Sequence, residues 1–167
     1  MSEAVRKYSL DTGFFIEGWR KYYSPDFCDG YWETVDSQAQ KGIVFITSEV
    51  LKELLKIDDE ISQWIKVRKY FVKEIDDRVQ ECLLKIYKAN PVHNNLVNNV
   101  KNRSIADPWV IAHAMAEDAT VVTKENMEAR PSDKRIKIPN VCKNMGVPWL
   151  DDFGFIREIK IRFSCGL

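Results

Sequence analysis

Apolar residues recur along this chain in two distinct spacings, and the spacing divides it into strands and helices. Tyr8-Ser9-Leu10-Asp11 reads as a short strand that ends on an acid. Phe14 to Tyr23 reads as a helix dense in aromatics, closed by the turn signal Ser24-Pro25-Asp26, and Gly30 to Gln40 as a second helix stopped near Gly42. Gly42-Ile43-Val44-Phe45-Ile46-Thr47 is a continuous, β-branched apolar run, the pattern of a buried strand. Ser48 is placed to cap the helix that follows, with Val50, Leu51, Leu54 and Leu55 at helical spacing. From Asp58 to about Lys88 the helical period predicts one or two helices, broken by Asn90-Pro91, and His93 to Asn102 is a further helical candidate. Asp107-Pro108 is a helix start, with Asp at the N-cap and Pro at the first helical position, leading into a helix from Trp109 to Glu117. Ala119 to Thr123 is the third strand, Arg135-Ile136-Lys137-Ile138 a short fourth one, and Pro139 to Met145 a helix closed by Gly146. The tail, Asp151 to Arg162, reads as a last helix or a helix and a strand. Strands separated by helices predict a parallel sheet covered on both faces.

Composition fits that picture and narrows it. At 167 residues and 45% hydrophobic content, the chain is long enough for one domain, residues 1–167, with a real core. No stretch is long and apolar enough to span a bilayer, and the opening MSEAVRKYSLD lacks the apolar centre of a signal peptide, so a cytoplasmic location without membrane contact is expected. Cys28, Cys82, Cys142 and Cys165 are too scattered for a zinc site or a disulfide framework. The two histidines, His93 and His113, leave little material for histidine chemistry. A net charge of zero neither favours nor excludes nucleic acid, because acids gathered at the centre can coexist with a basic rim. Rim candidates are Lys66, Arg68 and Lys69, then Lys134, Arg135 and Lys137, then Arg157, Lys160 and Arg162; each cluster also fits an ordinary solvated surface.

The chemistry sits in four acids. Ligands in open parallel sheets bind beyond the carboxyl ends of the strands. Asp11 closes the first strand, Glu53 lies one turn into the helix after the second, Asp107 opens the helix before the third, and Glu125 lies two residues past the third. Each has an ordinary alternative: an N-cap for Asp107, a solvated helix position for Glu53, a charged turn for Glu125. Asp11 is the hardest to explain that way, because a carboxylate ending a buried strand needs a partner. Clustered carboxylates repel unless a cation sits among them, and Mg²⁺ or Mn²⁺ takes such oxygen ligands while keeping waters of its own. That combination activates water against a phosphodiester.

At these residues the chain resembles the PIN-domain superfamily, which includes the VapC-type toxins of toxin–antitoxin systems. Tyr8-Ser9-Leu10-Asp11-Thr12 is similar to the opening strand and Asp-Thr of that superfamily. Ile46-Thr47-Ser48 with Glu53-Leu54-Leu55 is similar to its second strand and Glu-Leu helix. Ile105-Ala106-Asp107-Pro108-Trp109-Val110-Ile111-Ala112-His113-Ala114 resembles its Ala-Asp helix, and Ala119 to Thr123 the strand before its last acid. The aromatic segment (Trp19 to Tyr23, Gly30-Tyr31-Trp32), the Ala-Asp-Pro-Trp helix and Lys137 to Cys142 are similar to an uncharacterised PIN-like group.

The resemblance implies a three-layer α/β/α PIN-like fold around a mostly parallel sheet of four to five strands. It implies an endoribonuclease dependent on Mg²⁺ or Mn²⁺, with Asp11, Glu53, Asp107 and Glu125 as metal-binding and catalytic residues. Thr12 and Thr123 would support them by hydrogen bonds, and Glu49 is a further acid one turn before Glu53. RNA is the implied substrate, with an antitoxin protein and a second copy of the chain as implied partners. Gly13 stands where many members have Asn, and Glu125 where the family often has the shorter Asp. A different class of function is a catalytically inactive PIN-like domain that binds nucleic acid or protein. Leu10-Asp11-Thr12-Gly13 also matches the Asp-Thr-Gly of aspartic proteases, but those are β-rich and here helices dominate. The dense aromatics from Phe14 to Trp32 suit core packing or an interface, and stacking on RNA bases is the other use of such rings.

Overall fold

The computed structural model describes residues 4–97, 104–132 and 134–166. Five parallel strands, β1 (Tyr8–Leu10), β2 (Val44–Thr47), β3 (Val72–Lys73), β4 (Thr120–Val122) and β5 (Trp149–Leu150), lie in the order β3-β2-β1-β4-β5. β1, β2 and β4 are buried at every position, which is why β2 and β4 carry apolar runs rich in β-branched residues, while β1 holds one polar side chain, Ser9, satisfied by a backbone carbonyl. The register pairs Ser9 with Phe45 on one side and with Val121 on the other. From β1 the chain adds β2 and β3 on one side, then returns to add β4 and β5 on the other. The gap between β1 and β4 is therefore the switch point of the sheet, where a crevice opens beyond the strand ends.

Eight α-helices cover the sheet among the described residues: α1 (Thr12–Glu17), α2 (Pro25–Gln40), α3 (Ser48–Leu54), α4 (Glu60–Lys66), α5 (Asp77–Ala89), α6 (Asp107–Glu117), α7 (Ile138–Met145) and α8 (Asp152–Glu158). Side-chain alternation along β1 separates the two faces. Ser9 donates to the Val110 carbonyl of α6, which packs with α5 and α7. Tyr8 points the other way, edge-on to Phe155 of α8, and Phe155 in turn meets Phe14 of α1. The result is a three-layer α/β/α architecture, as the sequence pattern predicts. No helix among the described residues is long and apolar enough to cross a membrane.

The aromatic segment packs as core. Phe14, Phe15, Trp19, Tyr23, Tyr31 and Trp32 are all buried. Phe15 stacks on Trp32 at 6.0 Å between centroids, and Tyr23 on Tyr31 at 4.2 Å. Gly18 makes this possible: a Cβ there would stand 3.2 Å from the Trp32 ring.

Several elements differ from the sequence expectation. The helix expected over 14–23 is α1 followed by a π-turn, Gly18–Tyr22, closed by the Tyr23 N–H on the Gly18 carbonyl at 2.7 Å. The second helix starts earlier, at Pro25, which opens it as an N-terminal proline, with a kink at Cys28. The 58–88 region holds two helices, but also a 3₁₀ turn and the edge strand β3 between them. Residues 135–138 are not a strand. Arg135 only bridges back to Ser132, and Ile138 starts α7. Their alternation arises because Ile136 and Ile138 are buried while Arg135 and Lys137 face outward. The next strand is β5, after α7 has ended on Gly146 at φ +67°, the left-handed C-cap that glycine supplies. A 3₁₀ helix, Pro91–Leu96, stands where a helix from His93 was expected; residues 98–102 of that candidate lie outside the described residues. The tail is a helix, α8, with no strand after it among the described residues.

Candidate functional site

The crevice at the switch point is a cavity of about 400 Å³ lined by Asp11, Gly13, Glu17, Ser104, Asp107 and Glu125, with Lys124 and Lys137 also on its wall. Three of the four acids singled out in the sequence therefore face one space. Asp11 ends β1 and caps α1. Its backbone N–H donates to the Val122 carbonyl of β4, its Oδ1 accepts from the Thr12 N–H at 2.7 Å, and its Oδ2 accepts from the Thr123 hydroxyl at 3.0 Å. Asp107 is the first residue of α6, with Pro108 second and Ala106 at the N-cap. The N-cap role expected for Asp107 is not filled by it: Ala106 before it is already in a helical conformation, so Asp107 lies inside the first turn, and no side chain caps the helix from the N-cap position. Asp107 keeps the favourable position of an acid at the positive end of a helix.

Glu125 follows β4, and its backbone N–H donates to the Thr123 hydroxyl. Its Oε2 accepts the Ile138 N–H at 2.8 Å, satisfying the first turn of α7, and its Oε1 lies 3.6 Å from the Lys137 ammonium. Glu53, near the end of α3, does not line the cavity. Its carboxylate accepts from the Thr12 hydroxyl at 2.6 Å, from the Ser104 hydroxyl at 2.6 and 2.7 Å, and from the Ala106 N–H at 3.3 Å. Glu53 thus ties the start of α1 to the start of α6 from behind the site. Glu49 points elsewhere, into an ion pair with Lys52.

Burial and mutual repulsion raise the two innermost acids. Asp11, 5% exposed, is pushed up to about 7 by burial and then by the Glu125 charge, against the hydrogen bonds from Thr123 and Thr12. Asp107, 7% exposed, is raised well above the ordinary carboxylate range by burial and then by Asp11 and Glu125, while Ser104 works the other way. No three His, Cys, Asp or Glu side chains among the described residues stand ready as a closed metal-ligand set. The donor set nonetheless fits a hard divalent cation that keeps most of its waters and takes one or two carboxylates directly.

Ser104 and Lys124 carry roles that the sequence did not reveal. Ser104 bridges toward Glu53 and Asp107, and its only sequence signal is a hydroxyl three residues before the Asp of a helix start. Lys124 extends along the cavity wall to Asp152 Oδ2 at 3.0 Å, with its ammonium 4.0 Å from the centroid of Tyr22.

The family model described as "Domain of unknown function (DUF4411)" matches residues 8–163. The chain belongs to that DUF4411 family. No curated protein matches it. Among solved structures, a chain in "Crystal structure of VapBC2 from Rickettsia felis bound to a DNA fragment from their promoter" is similar in fold. It shares 17% sequence identity over 86% of this chain and 97% of that one, with a TM-score of 0.51. The shared architecture extends over nearly all of that neighbour, and at this identity it is the fold that the two have in common.

Proposed function

We propose that this member of the DUF4411 family is a cytoplasmic PIN-type endoribonuclease that hydrolyses RNA phosphodiester bonds with Mg²⁺ or Mn²⁺. One observation carries the reading: Asp11, Asp107 and Glu125 face a single cavity at the switch point, and the two buried ones are raised above the ordinary carboxylate range by burial and by the neighbouring acids. The likeness of fold to a chain of the VapBC2 complex supports it, and extends it to a toxin held by an antitoxin protein; a second copy of the chain as a further partner rests on the PIN-like resemblance alone.

Asp11, Asp107 and Glu125 would hold the ion, and Glu53 adds its charge from behind while fixing the start of α6. Bound there, the ion neutralises the carboxylates, orients and helps ionise a water, and offsets charge on the phosphodiester. Thr123 and the Thr12 N–H aim the Asp11 carboxylate. Lys137 on the cavity wall, 46% exposed and only loosely held at 3.6 Å from Glu125, would meet an entering phosphate, while Lys124 is already paired with Asp152.

Cleavage of a single-stranded RNA with Mg²⁺ or Mn²⁺, compared with Asp11→Asn and Asp107→Asn, tests this. The variants are expected to lose activity by several orders of magnitude, and equal cleavage by all three proteins would refute the assignment. A second reading, a catalytically inactive binding module, draws on the protein donors that already engage Glu53 and Glu125. Mn²⁺ separates the two: a competent site raises the melting temperature in proportion to the logarithm of metal concentration, and an inactive one leaves it unmoved.

A further inference from the structure

The aromatic segment buries nearly all of its rings, and one is left out. Tyr22 is 49% exposed, although its neighbour Tyr23 is buried with its hydroxyl on Asp152 Oδ2 at 2.7 Å. The π-turn Gly18–Tyr22 sets this contrast, turning Tyr22 outward where Tyr23 turns in. A second ring stands near it: Phe153, 52% exposed, follows the same buried Asp152 in the chain. Lys124 joins the pair. Its ammonium lies 4.0 Å from the Tyr22 centroid and 5.7 Å from that of Phe153, and the same side chain lines the acid cavity. Two half-open rings thus flank a residue of the cavity wall, with the Lys124–Asp152 ion pair at the joint.

Resting on the nuclease reading, we propose that Tyr22 and Phe153 form a subsite that stacks an unpaired base of a single-stranded RNA next to the phosphodiester held in the cavity. Flat rings of this kind grip bases by their faces and tolerate any sequence. In a duplex those faces are covered by neighbouring bases, so the subsite selects unpaired nucleotides. Continuity with the acid cavity favours nucleic acid over a protein at this rim, since the Lys124 ammonium is already paired with Asp152 at 3.0 Å. Lys124 touches both rings and also lines the cavity, so a base placed on the rings leaves its phosphate beside the acids, whereas a protein covering the rings would make no use of that cavity. The subsite sets substrate choice and performs no bond making or breaking.

Fluorescence anisotropy measures binding of a labelled RNA of about ten nucleotides, single-stranded or annealed to its complement, with cleavage followed in parallel. The double variant Tyr22→Ala/Phe153→Ala is expected to bind the single strand about tenfold more weakly, to raise KM more than it lowers kcat, and to leave duplex binding unchanged. Tyr22→Phe, which keeps the ring, retains binding. An abasic position moved along the RNA is expected to reproduce the loss at one site only. Both rings are half-exposed, so circular dichroism and melting temperature should match the wild type. Unchanged single-strand binding and KM in the double variant overturn the proposal while cleavage itself stands. So does a variant that alters only self-association, which makes the rim a protein interface. Failure of the wild type to bind or cut any RNA overturns the nuclease reading and this subsite together.

Discussion

The Thr123 hydroxyl donates to Asp11 Oδ2 at 3.0 Å and accepts the Glu125 N–H at 3.1 Å, so one side chain at the end of β4 positions two acids of the cavity. It does so across the switch point, where the Asp11 N–H already binds the Val122 carbonyl. Thr123→Val keeps the shape and removes both hydrogen bonds. We predict about tenfold weaker Mn²⁺ binding, the usual scale for a group that orients a metal ligand, with a loss of stability of about 1 kcal/mol. Thr123→Ser should restore both. Isothermal titration with Mn²⁺ decides, and equal affinity in the valine variant would show that Thr123 merely packs.

Asp11 gives a pH dependence whose sign is set by its raised value. In the unfolded chain it ionises near 4, and in the folded, metal-free protein near 7, chiefly because it is buried. The folded state therefore binds more protons across that window, and this group's contribution to stability falls as pH rises from about 4 to about 7. Asp11→Asn removes the charge. With metal chelated, the variant should be more stable than wild type by on the order of 1–3 kcal/mol at pH 8, with the gain vanishing toward pH 4. Urea unfolding at both pH values measures it. A variant less stable than wild type at pH 8 would mean that Asp11 is satisfied by its hydrogen bonds and is under no strain from its neighbours. Saturating Mn²⁺ should reverse the order, since protons and metal compete for the same oxygens.

Ser104 stands between Glu53 and Asp107, donating to the first at 2.6 Å and holding the second down against its neighbours. Ser104→Ala should therefore let Asp107 rise further. If the ionised Asp107 is required for activity, the acid limb of the kcat/KM profile moves to higher pH, and activity at neutral pH falls about tenfold. A lower kcat/KM with an unmoved acid limb would assign Ser104 to packing of the α6 start and not to the charge of Asp107.

Much of this arrangement is legible in the sequence, and the parts that are not fail for physical reasons. β2 and β4 show as apolar, β-branched runs because each is buried on both faces, and β1 shows by its apolar ends and the acid that closes it, with Ser9 between them. β3 and β5 are two residues each at the sheet margins, too short to carry any period. Arg135 to Ile138 imitates a strand because its two isoleucines reach the core from a loop and a helix start. Asp11, Asp107 and Glu125 could be placed at one edge by counting positions along parallel strands. That Glu53 sits behind the others depends on hydroxyls from Thr12 and Ser104, whose approach only the folded chain determines. The same holds for Tyr22: nothing in a run of aromatics tells which ring a π-turn will leave outside.

A last prediction concerns stability away from the cavity. Glu117, the final residue of α6, accepts from Lys73 Nζ at 2.9 Å and Lys7 Nζ at 3.1 Å, with Arg78 at 3.3 Å. It thus connects the lead-in to β1, the edge strand β3 and α5. The Lys73 hydrogen bond, with that from Lys7, holds its carboxyl down at about 2. The shift is opposite in sign to that of Asp11. Stability from Glu117 is fully present above the unfolded value near 4.5 and is lost as pH falls from there through about 2. The three cations are 31%, 40% and 63% exposed, so solvent screening limits the effect. Glu117→Gln should cost about 1 kcal/mol at pH 7 in low salt, less in high salt, and nothing near pH 2. RNA cleavage at saturating metal should be unchanged, because Glu117 does not line the cavity. Thermal melts across that pH range supply the check: a penalty that persists at the acid end would show that Glu117 acts through packing and not through its charge.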